Sequence, residues 1–162
     1  MGGAAKVDEL MEQCALGREL EGGACAVFGS FSRVRDLTEG EVLFHEDEDD
    51  DCLHMVISGK LAVTRRTGGG ADAILHVIEP GDLAGEMGFV DGTPHSATVK
   101  ALTAARVVSL DRKKFEALLD TNPRLVYDVM RAIVRRVHHT LRRMNLQYVE
   151  LTNYISQQHG RY

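Results

Sequence analysis

The chain has 162 residues, 44% of them apolar and 27% charged, with a formal net charge of −5 at pH 7. That length suits one domain with its own core, and no run approaches the ~20 apolar residues of a membrane span or the apolar centre of a signal peptide, so a cytoplasmic protein without a membrane segment is expected. The three cysteines, Cys14, Cys25 and Cys52, are widely spaced and form no C-x-x-C pair, which argues against a disulfide framework and against a zinc site.

In chain order, the spacing of Val7, Leu10, Met11 and Cys14 predicts an amphipathic helix, and Gly22 and Gly23 close a helical segment over residues 1–30. From Val34 the texture changes to short apolar runs divided by turn signals: VRDL, EVLFHE, LHMVIS, LAVTRR, AILHVIEP, SATVKAL and ARVVSLD. Many short strands at nearly even spacing predict an antiparallel β-roll, jelly-roll-like, over residues 31–122 rather than a parallel α/β sheet. The fold class is therefore mainly β with flanking helices.

Asn122 as a cap and Pro123 in the first turn, where a missing N–H costs nothing, open one long helix over residues 123–158, followed by a tail over 159–162. Met130, Val134, Val137, Leu141, Met144, Tyr148, Leu151 and Ile155 alternate by four and three, the seam of a coiled coil. So long a seam exceeds what the roll can cover and predicts a homodimer. Residues 1–110 carry 9 Lys/Arg against 19 Asp/Glu, whereas residues 111–162 carry 10 against 5. The basic residues Arg135, Arg136, Arg142 and Arg143 read as solvated flanks of that helix.

The segment at residues 81–99, GDLAGEMGFVDGTPHSATV, is chosen for a ligand. Glycines in Gly85-Glu86-Met87-Gly88 let backbone N–H groups crowd toward an anion, and a helical turn starting near Glu86 aims its free N–H groups at a phosphate. Glu86, unfavourable beside phosphate, makes sense as an acceptor for a hydroxyl such as a ribose 2′-OH. Met87 offers its N–H, Ser96 its hydroxyl and N–H, and Ala97 its N–H. Phosphate plus ribose implies a nucleotide.

Gly85-Glu86-Met87-Gly88 followed by Pro94-His95-Ser96-Ala97-Thr98 resembles the phosphate-binding cassette of the cyclic nucleotide-binding domain family, with His95 where that family carries an arginine. The resemblance spans about residues 30–145 through Gly40-Glu41-Val42-Leu43-Phe44, Ile57-Ser58-Gly59-Lys60 and Pro80-Gly81-Asp82, and it fits the catabolite-activator type. It implies a β-roll flanked by helices, a cyclic nucleotide such as cAMP or cGMP as ligand, and Thr140 as a contact to the base. No cofactor is expected. In such activators the long helix leads into a helix-turn-helix domain, and seven residues after Ile155 leave no room for a DNA reader, so a DNA-binding domain is not expected in this chain.

Other chemistries fit less well. The acidic run at residues 46–51 lacks the alternation and turn glycine of a calcium loop and reads as a solvated connection. His45, His54 and His76 fall on predicted strands without metal spacing, and His138 and His139 point apart on a helix, so no metal is expected. Ser96 and His95 are neighbours facing opposite ways, which disfavours hydrolase chemistry. The sequence thus predicts a non-catalytic sensor of a cyclic nucleotide signalling through a dimer helix. The alternatives are a silent pocket on a dimeric module for a protein effector, or a receptor for a cyclic dinucleotide.

Overall fold

The structure is a computed structural model that describes residues 7, 9, 10, 12, 15–18 and 24–159. Met11, Cys14, Gly22 and Gly23 lie outside these residues, while Val7 and Leu10 are helical as predicted. The elements are α1 (Ala15–Arg18), α2 (Ala24–Gly29), β1 (Ser32–Leu37), β2 (Val42–Phe44), β3 (Cys52–Ser58), β4 (Leu61–Arg66), β5 (Asp72–Ile78), β6 (Leu83–Ala84), α3 (Glu86–Asp91), β7 (Thr98–Ala101), β8 (Ala105–Asp111), α4 (Arg112–Glu116), a tight turn Ala117–Leu119, and α5 (Pro123–His159). Every predicted strand is present. β6 and α4 were not predicted: β6 is two residues long and shows no period, and α4 is a single turn capped by the Asp111 carboxylate, which accepts from the Lys114 N–H at 3.0 Å.

The strands form two antiparallel four-stranded sheets, ordered β1-β8-β3-β6 and β2-β7-β4-β5. Their facing sides enclose one core, with Leu37, Phe44, Val56, Leu61, Val99 and Val107 buried in it. On β3 the pleat sends Val56 into this core and Leu53 and Met55 to the opposite side. There they meet Phe28, Phe115, Val129 and Ile133 in a second core between sheet and helices. With apolar groups on both faces, β3 reads as a nearly continuous apolar run, and burying each such side chain is worth about 1.5–3 kcal/mol.

α5 begins at Pro123 as expected and runs one residue past the predicted end. Its 37 residues measure about 55 Å, far longer than the roll it lies on. Val126, Val129, Ala132 and Ile133 are buried in the second core, and Met130 and Val137 pack against it. Met130 and Val137, the two seam residues nearest the roll, are partly buried against it. Val134, Leu141, Met144, Tyr148, Leu151 and Ile155 are exposed. The physical reason is geometric, since the 126/129/133 stripe facing the roll lies beside the four-three stripe and shares its edge.

Candidate functional site

The ligand segment folds as a turn, the short helix α3 and an extended return. Gly85 holds φ +78°, a left-handed conformation that glycine adopts without strain, and caps α3 at its start. A Cβ at Gly85 would stand 2.9 Å from the Cys52 carbonyl oxygen and 3.3 Å from His95 Cε1, and one at Gly88 would stand 3.4 Å from the same Cε1. The two glycines therefore let the start of α3 rest on the His95 ring. Phe89 pins the other side of α3 into the second core against Phe115, 5.3 Å away. The return enters no strand until Thr98, so Ser96 and Ala97, in a bend, precede β7 instead of lying on a strand.

His95 is 6% exposed and stacks on Phe44 with ring centroids 3.6 Å apart. Its Nε2 has no hydrogen-bond partner among the described residues and lies 3.9 Å from Asp50 Oδ2. Burial drives the His95 pKa below the ordinary imidazole value, with the Asp50 charge opposing.

The acidic run connects β2 to β3 with Asp47, Glu48 and Asp49 exposed, as read from the sequence, but it is also hydrogen-bonded to the ligand segment and to β3. Asp47 donates its N–H to the His95 carbonyl at 2.8 Å, and the His95 N–H donates to the Glu48 carbonyl at 3.1 Å. The Glu48 carboxylate accepts from the His45 N–H at 2.7 Å, and Asp50 Oδ1 accepts from the Cys52 N–H at 3.1 Å. Asp50 Oδ2 is 2.6 Å from His54 Nε2, and His54 Nδ1 is 2.8 Å from Ser109 Oγ. His54 and Ser109 are register partners on β3 and β8, both buried. Composition alone did not reveal these bonds, because backbone pairings and one half-buried carboxylate leave no mark in a run of like charges. His45 likewise sits just past β2 rather than on a strand.

Two contiguous cavities meet at the segment. The smaller, about 110 Å³, is lined by Phe44, Gly85, Glu86, Met87, His95, Ser96 and Ala97 among others. The larger, about 320 Å³, lies between the roll and α5, and Glu86, Ser96 and Ala97 face it together with Thr140, Val137, Leu141 and Met144 of α5. Of the eight predicted site residues, seven line this paired cavity, and Thr140, 44 residues beyond Ser96, is among them. Gly88 lines neither and serves to seat α3. Met87 exposes its side chain, consistent with a backbone role. The sequence reading missed Val63, Arg65, Leu75, His76 and Arg136, which complete the larger cavity. Only pairing of β4 with β5 and docking of α5 bring them there.

Glu86 opens α3 within both cavities, and burial raises its pKa above 4.5, partly offset by its own backbone N–H. Across the larger cavity, Arg143 of α5 donates to Asp82 Oδ2 at 2.7 Å and stands 3.3 Å from His76 Nε2 and 3.9 Å from Glu79 Oε2. Burial first, and the guanidinium second, push the His76 pKa down. This clasp ties α5 to the β5–β6 turn one helical turn beyond Thr140. Cys52, whose thiol burial and then Asp50 push up to about 12, is not a nucleophile. Among the described residues no cluster of His, Cys, Asp and Glu is arranged to hold a metal ion, and no helix is long and apolar enough to cross a membrane.

The cyclic nucleotide-binding domain profile matches residues 34–122, more than half of the chain, and the protein belongs to that family. It is 28% identical over 134 residues to the CRP-like cAMP-activated global transcriptional regulator of Mycobacterium tuberculosis, a match covering 83% of this chain and 60% of that one. The chain thus spans about three-fifths of the length of that curated relative. Its fold is similar to a cyclic nucleotide-binding domain from Methylobacillus flagellatus KT, with TM-score 0.77 and 18% identity over 91% of this chain and 83% of that one. It is also similar to the N-terminal domain of a transcriptional regulator from Streptomyces coelicolor A3(2), with TM-score 0.68 and 28% identity over 83% of this chain and 94% of that one.

Proposed function

We propose that this chain is a non-catalytic cytoplasmic sensor that binds a cyclic nucleotide, cAMP or cGMP, through Gly85, Glu86, Met87, His95, Ser96, Ala97 and Thr140, with Gly88 shaping the turn. The observation that carries the reading is that Glu86, Ser96 and Ala97 share one cavity with Thr140 of α5. A ligand with its phosphate on the segment, its ribose on Glu86 and its base toward Thr140 would touch the roll and the helix at once. Binding then favours one placement of α5 over another, which is what a two-state output requires. Residues 31–122 receive the ligand, and residues 123–158 carry the output, as a homodimer through the exposed α5 residues, to a protein effector. The similarity to a regulator named as cAMP-activated supports cAMP as the first ligand to test.

Isothermal calorimetry against cAMP, cGMP and a cyclic dinucleotide, at pH 6 and 7.5, tests this. Saturable micromolar binding of a mononucleotide is expected, tighter at pH 6. The His95→Arg variant should bind about ten- to a hundredfold more tightly at pH 7.5, since arginine restores a charge-assisted bond that is independent of pH. His95 in place of arginine favours a second reading, a silent pocket on a protein-interaction module. Absence of heat for all three ligands with the wild-type protein, and its recovery in His95→Arg, would establish it.

A further inference from the structure

We propose that Asp50 is a positioning residue of this site, a fixed carboxylate behind His95 that lets the imidazole take up a proton when a phosphate arrives on its cavity side. The proposal rests on the cyclic nucleotide reading above and adds residues to it that no ligand would touch.

The geometry is specific. Asp50 is absent from the lining of either cavity, whereas His95 lines the smaller one, so the ring stands between the carboxylate and the space a phosphate would fill. Nε2 is sealed from solvent and faces Asp50 Oδ2 at 3.9 Å, too long for a hydrogen bond but close for a charge. The carboxylate cannot drift, because the Cys52 N–H holds one oxygen and His54, seated on Ser109, holds the other. The loop carrying it is stitched to the His95 backbone on both sides, and Asp47 holds φ +64° to make that turn. This arrangement keeps the Asp50 pKa below its ordinary value: burial alone would raise it, but the His54 and Cys52 bonds outweigh burial.

The titratable groups around His95 are Asp50, with Glu48 and Asp49 on the same loop, His54 on β3, and Glu86 opening α3. In the free protein burial favours the neutral imidazole, with the Asp50 charge opposing. A bound phosphate would leave the ring between two anions, and a solvent proton would then add to the vacant ring nitrogen. The cassette would thereby do with a buttressed histidine what an arginine does with a permanent charge.

Two measurements decide this. The first is the His95 titration followed by NMR in the ligand-free protein, with the resonance assigned by its loss in His95→Gln. Asp50→Asn should lower the His95 pKa by about one unit or more, as expected for losing an opposite charge 4–6 Å away. Glu48→Gln, on the same loop, should shift it far less. An unchanged titration in Asp50→Asn, or an equal shift in Glu48→Gln, overturns the proposal. The second needs no variant: calorimetry of wild-type protein with cAMP at pH 7 in two buffers of different ionisation enthalpy should show uptake approaching one proton, and binding without uptake also overturns it. Wild-type protein that binds neither cAMP nor cGMP at pH 6 would sink the nucleotide reading instead, and the Asp50→Asn titration still decides the coupling between Asp50 and His95.

Discussion

Replacing Glu86 by glutamine is expected to raise the melting temperature of the ligand-free protein at pH 7 while weakening cyclic nucleotide binding by about ten- to a hundredfold. The two effects have opposite signs because they come from the same fact. Glu86 opens α3 within the paired cavity, half-buried, and among the described residues no cation pairs with it. Burial holds its pKa above the unfolded value of 4.5, so the folded protein binds more protons than the unfolded one between these two values. Stability from this group is therefore present below pH 4.5 and is lost as pH rises through the folded pKa. Glutamine carries no charge to desolvate and removes that burden. Melting curves of the two proteins should converge toward pH 4, where both side chains are neutral. A ligand hydroxyl would donate to the carboxylate from within the cavity, and glutamine, as a neutral acceptor, would offer a weaker bond. A stability gain with unaltered affinity would place the ribose elsewhere.

Gly59→Ala is expected to cost about 2–5 kcal/mol, which for a chain of this size lowers the melting temperature by roughly 5–15 °C. Gly59 turns β3 into β4 at φ +79°, and a Cβ there would overlap the Ala104 carbonyl oxygen and lie 2.6 Å from Ala105 Cα. Ala105 begins β8, the strand that pairs with both β1 and β3, so the backbone it meets cannot yield without disturbing the sheet. Gly40→Ala provides the comparison. Gly40 holds φ +82° with nothing within 4 Å of its Cβ position, so only the conformational strain applies, about 1–3 kcal/mol. Equal losses in the two variants, by thermal or urea unfolding, would show that crowding at the β3–β4 turn contributes nothing.

The elements of this protein were legible because local rules speak for them. Short apolar runs bounded by turn residues mark β3 and β4, and Pro123 followed by a four-three apolar repeat marks the 37-residue α5. The turn into α3 was legible too, since Gly85 and Gly88 are demanded by the close approach of α3 to His95. The resemblance to the cyclic nucleotide-binding family rests on those same residues, and the family is shown by the match over residues 34–122.

What local rules do not encode is which groups meet across sequence. Nothing near Asp50 distinguishes it from its five acidic neighbours in residues 46–51, and its role follows from the β3–β8 register that sets His54 beside Ser109. The clasp of Arg143 on Asp82 and His76 joins residues more than sixty positions apart. A heptad pattern reports only that a stripe is apolar, and the neighbouring 126/129/133 stripe decided which edge the roll took. By itself, then, the sequence determined the elements, the turn chemistry and the resemblance to the family, because those depend on backbone conformation, side-chain period and motif over a few residues. Tertiary structure alone decided that His95 is backed by a carboxylate and that Arg143 clasps Asp82, because those depend on the docking of α5 and the pairing of strands far apart in the chain.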